Sequence, residues 1–456
     1  MLARIAKWIL SLVVLAVAGL AGWLAIAPPD LIRVGAAYSA KIVCSNVFVA
    51  GRDPDEVLRV DVQAPGHWLL GYMSVAVDRD AKTASASLLG LFGKMTAVAR
   101  DGLGCTSVPD GNVDAVAKAT LPPMAAVASD AVWPEGNSVQ PSQDPAIAKI
   151  LDDPALTGPG MRAVVVVHNG RIVGERYGEG FSAEMPLLGW SMTKTVNAAV
   201  IGTAVKAGKM NLEAKSLTEA WKADERSAIS IADLMAMSSG LEFNEEYGDV
   251  TDVTRMLFLE ADMAGFAAAK PLAGEVGKVF NYSSGTATFL SRLWQDALGT
   301  EALGWPSKML FQPIGMTSSV LETDEQGTFV GSSYLYATAR DWGRFGQFLL
   351  QDGVWNGSEI LPAGFVAMMR EEAPASKGTY TKGQAWLAGP GNEGDPAEDD
   401  AFGVPADTWW LEGHDGQTVA VVPSKQLVVV RMGLTPSRLG YRPQAMLGVL
   451  AKSVGN

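Results

Sequence analysis

The sequence predicts a mixed α/β (α+β) protein, and three stretches carry that expectation. Asn169-Gly170 lies between two β-rich runs, residues 163–167 and 171–177, which is the dipeptide and spacing of a tight antiparallel hairpin. A second pair of apolar runs, residues 418–422 and 426–432, flanks a turn at Pro423-Ser424. Between the two pairs, Val196, Ala199, Val200, Thr203 and Ala204 recur at helical spacing after a Gly189-Trp190 turn, the pattern of a buried helix.

Taken in order, the chain opens on an address. Arg4 and Lys7 precede an uncharged apolar run over residues 8–27, about the length that crosses a bilayer core, and the run stops at Pro28-Pro29-Asp30. Basic residues on the near side place the N-terminus in the cytoplasm and the remainder outside, periplasmic if the cell is Gram-negative. Ala25-Ile26-Ala27 resembles a signal-peptide cleavage site, so secretion after cleavage is the competing expectation. Pro28 directly after it is a poor context for cleavage, and residues 1–29 are read as an uncleaved membrane anchor.

Residues 30–145 read as an N-terminal extension. A turn at residues 50–55 separates two apolar runs, and residues 74–77 and 84–89 flank a polar turn as a hairpin. Residues 109–145, rich in Pro, Ser, Asp and Ala, read as a linker or wrapping arm, and His67 as a surface or packing residue. Cys44 and Cys105 follow the export signal. They are either two buried thiols or one disulfide closing a loop of about 60 residues, and an oxidising compartment favours the bridge.

Residues 146–456 read as one compact domain. His168 sits at the hairpin turn and reads as structural. Residues 229–237 form a short helix with Ser230 near its start, and residues 443–454 close the chain as another. The acid-rich run Glu242, Asn244, Glu245, Glu246, Tyr247, Gly248, Asp249 is either a solvated face or a lid presenting the Tyr247 ring and negative charge to an amine-bearing substrate.

Composition limits the functions. The net charge of −13 argues against nucleic-acid partners, and three histidines and two cysteines are too few for a metal cluster; no metal or cofactor is expected. The chemistry rests on Ser191-Met192-Thr193-Lys194. A serine hydroxyl is inert at neutral pH unless a neighbouring base takes its proton, and a lysine one helical turn away, desolvated, can supply or tune that base. It is the only serine in the chain with a lysine three residues on.

Three pieces stand in one order: Ser191-x-x-Lys194, Tyr282-Ser283-Ser284, and His414-Asp415-Gly416 read as opening a strand. Each is weak alone, but the ordered set resembles the serine β-lactamase and penicillin-binding-protein superfamily, with its S-x-x-K, Y-x-N and K-T-G patterns. It is most similar to the branch of 6-aminohexanoate-dimer (nylon oligomer) hydrolases, family VIII carboxylesterases and class C β-lactamases. Softer matches, including Pro313-Ile314-Gly315-Met316, extend the likeness over most of residues 150–456. The resemblance implies a β-lactamase/transpeptidase-like fold: an antiparallel sheet flanked by helices, with an all-helical lobe inserted roughly between residues 195 and 330.

It also implies a mechanism. Ser191 attacks a carbonyl, and Tyr282, held as or near phenolate by Lys194, shuttles the proton. The backbone N–H groups of Ser191 and Gln417 hold the oxyanion. Trp190, Tyr247, Ser284, His414 and Gly416 are expected to line the substrate site. Two departures narrow the substrate: Ser284 stands where the family has asparagine, and His414 where it has a lysine that supplies a fixed positive charge for substrate carboxylates. The expectation is therefore a serine hydrolase of small, uncharged or cationic amides or esters. A β-lactamase or D-amino-acid peptidase is the alternative, and a non-catalytic cell-wall-fragment binding protein the second.

Overall fold

The structure is a computed structural model and describes residues 2–141, 144–391 and 396–455. It divides into two units. The first holds residues 1–100, 105–118 and 246–261, and the second holds residues 101–104, 119–245 and 262–456. The division differs from a single boundary near residue 145. The supposed linker from residue 119 onward belongs to the second unit, and the chain leaves that unit after Glu245 and returns to it at Asp262.

In the first unit, helix α1 (Leu2–Ile26) contains a 23-residue stretch with a mean hydropathy of 2.5 and none of it buried, long and apolar enough to cross a membrane. Helix α2 (Asp30–Phe48) packs on a four-stranded sheet of β1 (Met73–Asp78), β2 (Thr83–Leu88), β3 (Phe92–Arg100) and β4 (Gly104–Ser107), in that order. Cys44 of α2 and Cys105 are disulfide-bonded across 61 residues of sequence. The returning segment docks on α2: the Phe258 ring meets Tyr38 edge-on at 5.6 Å, and Arg255 pairs with Asp30 at 2.7 Å.

The second unit is a mixed α/β layer structure built on a five-stranded antiparallel sheet. Its strands are β5 (Met161–His168), β6 (Arg171–Tyr177), β7 (Trp409–Gly413), β8 (Gln417–Val422) and β9 (Leu427–Gly433), arranged β7-β8-β9-β5-β6. Asn169 and Gly170 both take left-handed φ values, 49° and 72°, as a two-residue hairpin of right-twisting strands requires. Strand alternation sorts the valines. Val164, Val166, Val422 and Val429 pack with Met446, Leu447 and Leu450 of the C-terminal helix and with Ile147 and Ile150. Val165, Val167, Val419 and Val428 face the other way, toward Gly343 and Gly346 of the helix over residues 339–350. Each of these buried valines contributes roughly 1.5–3 kcal/mol relative to exposure.

Helix α3 (Thr193–Lys206), preceded by a tight turn over Trp190–Met192, is buried on every side from Thr193 to Ala204. A Cβ on Gly202 would lie 2.6 Å from the Phe365 ring, so a small residue there is what lets the helix seat. Ser230 caps helix α4 (Ile231–Met235) through a capping box with Asp233. Helix α5 (Asp252–Leu259) lies in the segment returned to the first unit. Ser283 caps helix α6 (Ser284–Leu298) by accepting from the Thr286 N–H at 2.9 Å. The arm preceding the sheet is held by Arg344 of helix α7 (Ala339–Leu350). Its guanidinium donates to Pro134 O, Gly136 O and Asn137 Oδ1 while pairing with Asp341 at 2.6 Å.

Candidate active site

Gly189 has no side chain because Trp342 fills the space: a Cβ would sit 2.2 Å from its ring. Trp190 then takes a left-handed φ of 49°, a strained conformation for a bulky residue that concentrates at functional turns. The strain places Ser191, partly exposed, immediately before α3. One turn on, Lys194 is 1% exposed, and its ammonium has three acceptors for its three protons: Ser191 Oγ at 2.9 Å, Ser284 Oγ at 3.1 Å and Ser332 O at 3.1 Å. Burial pulls the lysine down to about 8, opposed by the nearby Glu245 carboxylate.

Tyr282, just before α6, packs in a cluster with Tyr380 and Trp386 at ring distances of 5.7 and 5.2 Å. Its hydroxyl is close enough to Ser191 for the serine to favour the ionised phenol, and the Lys194 Nζ lies 4.6 Å from its ring centroid. Burial, and then the charge of Glu245, push the phenol up, outweighing the lowering effect of Ser191. That direction corrects the expectation of a phenolate. Of the two groups, Lys194 is the one that burial shifts toward losing its proton.

So Ser191, Lys194, Tyr282 and Ser284, up to 93 residues apart in sequence, meet in one place. Ser284, however, is fully buried between Lys194 and Glu245 and offers nothing to a substrate. Glu245 was missed: it accepts from the Ser284 N–H at 2.7 Å and the Ser284 hydroxyl at 2.5 Å. Tyr247, two residues on, belongs to the other unit and is exposed there.

The His414 stretch also needs correction. His414-Asp415-Gly416 does not open a strand; it is the three-residue turn between β7 and β8, with Asp415 and Gly416 at φ 59° and 83°. Gln417 therefore pairs with Gly413 across the turn, and its side chain bonds Gly433 and the turn carbonyls. Gly416 packs on Arg431, which donates to its carbonyl at 2.9 Å, and it lines the cavity beside Gly413. What lies against the nucleophile turn is the end of β7. A Cβ on Gly413 would sit 2.2 Å from Gly189 O, and the His414 ring meets Trp190 edge-on at 5.7 Å. The His414 Nε2 is 3.6 Å from Asp415 Oδ1. Beside Gly413 opens a cavity of about 360 Å³ lined by Glu412, Asp415 and Tyr441 among others. Its Arg442 is already paired with Glu398 at 2.5 Å. Among the described residues no group of three or more His, Cys, Asp or Glu is placed to hold a metal.

The sequence profile of the Beta-lactamase family matches residues 154–443. A 6-aminohexanoate-dimer hydrolase of Paenarthrobacter ureafaciens is 23% identical over 289 residues, 58% of this chain and 72% of its own. Among solved structures, a protein of Bacillus anthracis described provisionally as a 6-aminohexanoate-dimer hydrolase aligns with a TM-score of 0.55 at 24% identity, over 68% of this chain and 82% of its own. EstCE1, described as a hydrolase with promiscuous acyltransferase activity, aligns with a TM-score of 0.55 at 14% identity, over 68% and 98%. At those identities the structural likeness establishes the fold. The profile match covers well over half the chain, and the chain belongs to the beta-lactamase family, as a hydrolase of the serine type.

Proposed function

We propose that this family member cleaves small amides or esters through an acyl-enzyme on Ser191. The observation that supports it most is a buried lysine that bonds one partly exposed serine hydroxyl at 2.9 Å and lies 4.6 Å from the ring of a buried phenol. In the proposed cycle, neutral Lys194 takes the Ser191 proton as Oγ attacks the carbonyl carbon. The proton passes through the Tyr282 hydroxyl to the leaving amine or alcohol as the scissile bond breaks. Water then enters, gives a proton back along the same route, and releases the acid. The oxyanion donors are assigned to the Ser191 N–H and the Gly413–His414 end of β7, in place of Gln417.

The substrate class follows from charge. The end of β7 presents His414 beside Asp415, with Glu412 in the adjoining cavity, in place of a fixed cation, so uncharged or cationic acyl donors are favoured over carboxylates. The activity printed for the Paenarthrobacter relative, hydrolysis of the 6-aminohexanoate dimer, fits this class and is one candidate. We further infer that α1 tethers the catalytic unit on the outer side of a membrane. A panel of p-nitrophenyl esters, nitrocefin, D-amino-acid amides and aminohexanoate dimers tests the assignment. Ester or amide turnover abolished by Ser191→Ala supports it. Fast nitrocefin turnover would instead favour the β-lactamase alternative, and no turnover with any of them the binding-protein alternative.

A further inference from the structure

A lysine that is to act as a base must point its lone pair at the nucleophile and nowhere else. When Lys194 loses a proton, three oxygens compete for the lone pair's direction. Ser332 offers a carbonyl oxygen, which has no proton to give. Ser284 offers a hydroxyl, which would readily donate and so occupy the amine. That hydroxyl's only proton is committed elsewhere, to Glu245 Oε1 at 2.5 Å, while Oε2 takes the Ser284 N–H at 2.7 Å. With Ser284 reduced to an acceptor, Ser191 is the one neighbour of the three that can donate to a neutral Lys194.

Local sequence builds this arrangement. Asn281 donates its side-chain amide to Leu241 O at 3.1 Å and Phe243 O at 3.3 Å, tying the acidic loop to the segment that carries Tyr282. Gly285 leaves room for the Phe243 ring, which a Cβ would meet at 2.5 Å. Together they deliver Glu245 to the first residue of α6.

We propose that Glu245 is a positioning residue for catalysis, acting through Ser284 to aim the Lys194 lone pair at Ser191. The inference rests on the acyl-enzyme reading above. It extends that reading by giving the Ser284 that replaces the family's asparagine a partner and a purpose. The groups facing the Glu245 carboxylate are the Lys194 ammonium on α3 and the Tyr282 and Tyr380 phenols. Burial pushes Glu245 up and Lys194 opposes it. A proton on Glu245 reverses the chain: the acid donates to Ser284, and Ser284 then donates to Lys194.

The test is pre-steady-state acylation by a p-nitrophenyl ester, followed from pH 5 to 9, in the full chain and three variants. Glu245→Gln presents an amide that donates to Ser284 and is expected to slow acylation about 10²-fold, with the thermal transition retained. Removing the carboxylate charge also lowers the Lys194 pKa, so the acid limb moves to lower pH. Ser284→Ala has no hydroxyl to misdirect and is expected to lose less than about tenfold. The double variant should match Ser284→Ala and so be faster than Glu245→Gln alone. Additive losses, or a slow Glu245→Gln whose acid limb is unmoved, overturn the proposal. If Glu245→Gln does not fold, Glu245→Asp replaces it. That variant should slow acylation with the limb held, and a shifted limb overturns the proposal. Ser191→Ala runs in parallel: acylation surviving there defeats the acyl-enzyme reading itself, a result separable from every outcome above.

Discussion

Replacing Lys194 by methionine removes the amine while keeping a long, unbranched side chain in a site that is 1% exposed. The amine bonds Ser191 Oγ at 2.9 Å and burial lowers it to about 8, so the share of enzyme carrying the neutral base falls about tenfold for each pH unit below that value. The sign is fixed by which form works. The competent state is the deprotonated one, so kcat/KM rises about tenfold per pH unit below the limb and levels off above about 8. Losing a positioned base removes about 10²–10⁴ in rate, or about 2.7–5.5 kcal/mol in the barrier. The assay is initial-rate hydrolysis of a p-nitrophenyl ester from pH 5.5 to 9.5, corrected for spontaneous hydrolysis. Native enzyme should show the acid limb near 8, and Lys194→Met should be slower at every pH with that limb gone. A native profile flat between pH 6 and 9, or a methionine variant that keeps the limb, would refute the assignment of the base.

Tyr282→Phe keeps the ring packing on Trp386 and Tyr380 while deleting the hydroxyl, so kcat is expected to fall about 10²-fold with the melting transition unchanged. His414→Lys supplies the missing cation beside Trp190 and should lower KM for carboxylate-bearing esters relative to neutral ones; equal KM ratios would place His414 away from the acyl donor. Replacing Cys44 and Cys105 together by alanine opens a loop of 61 residues and is expected to destabilise the first unit by about 4 kcal/mol in denaturant melts.

What the sequence disclosed follows the range of the interactions involved. The Asn169-Gly170 hairpin and the Ser230 cap are set by residues within a few positions of one another, and the structure has both where local rules put them. Ser191 and Lys194 share a helical turn, so their meeting is legible from spacing alone, whereas Tyr282 enters only through the order of motifs. The His414 stretch failed on register. Asp415-Gly416 is itself a turn dipeptide, so β7 ends at Gly413 and β8 begins at Gln417. Glu245 was hidden by its company. Among Glu242, Glu246 and Asp249 it looks like one charge of a solvated run, and nothing local says that this carboxylate alone reaches Ser284, 39 residues on. The signal was indirect: a buried lysine beside a serine in place of asparagine leaves a charge and a hydroxyl proton to be accounted for.

The most direct measurement is the mass of the protein after exposure to a fluorophosphonate, followed by peptide mapping. One phosphonyl group on the peptide holding Ser191, absent from Ser191→Ala and much slower to appear in Lys194→Met, is the result this account requires. Modification elsewhere, or labelling of Ser191 at an unchanged rate without the lysine, would contradict it.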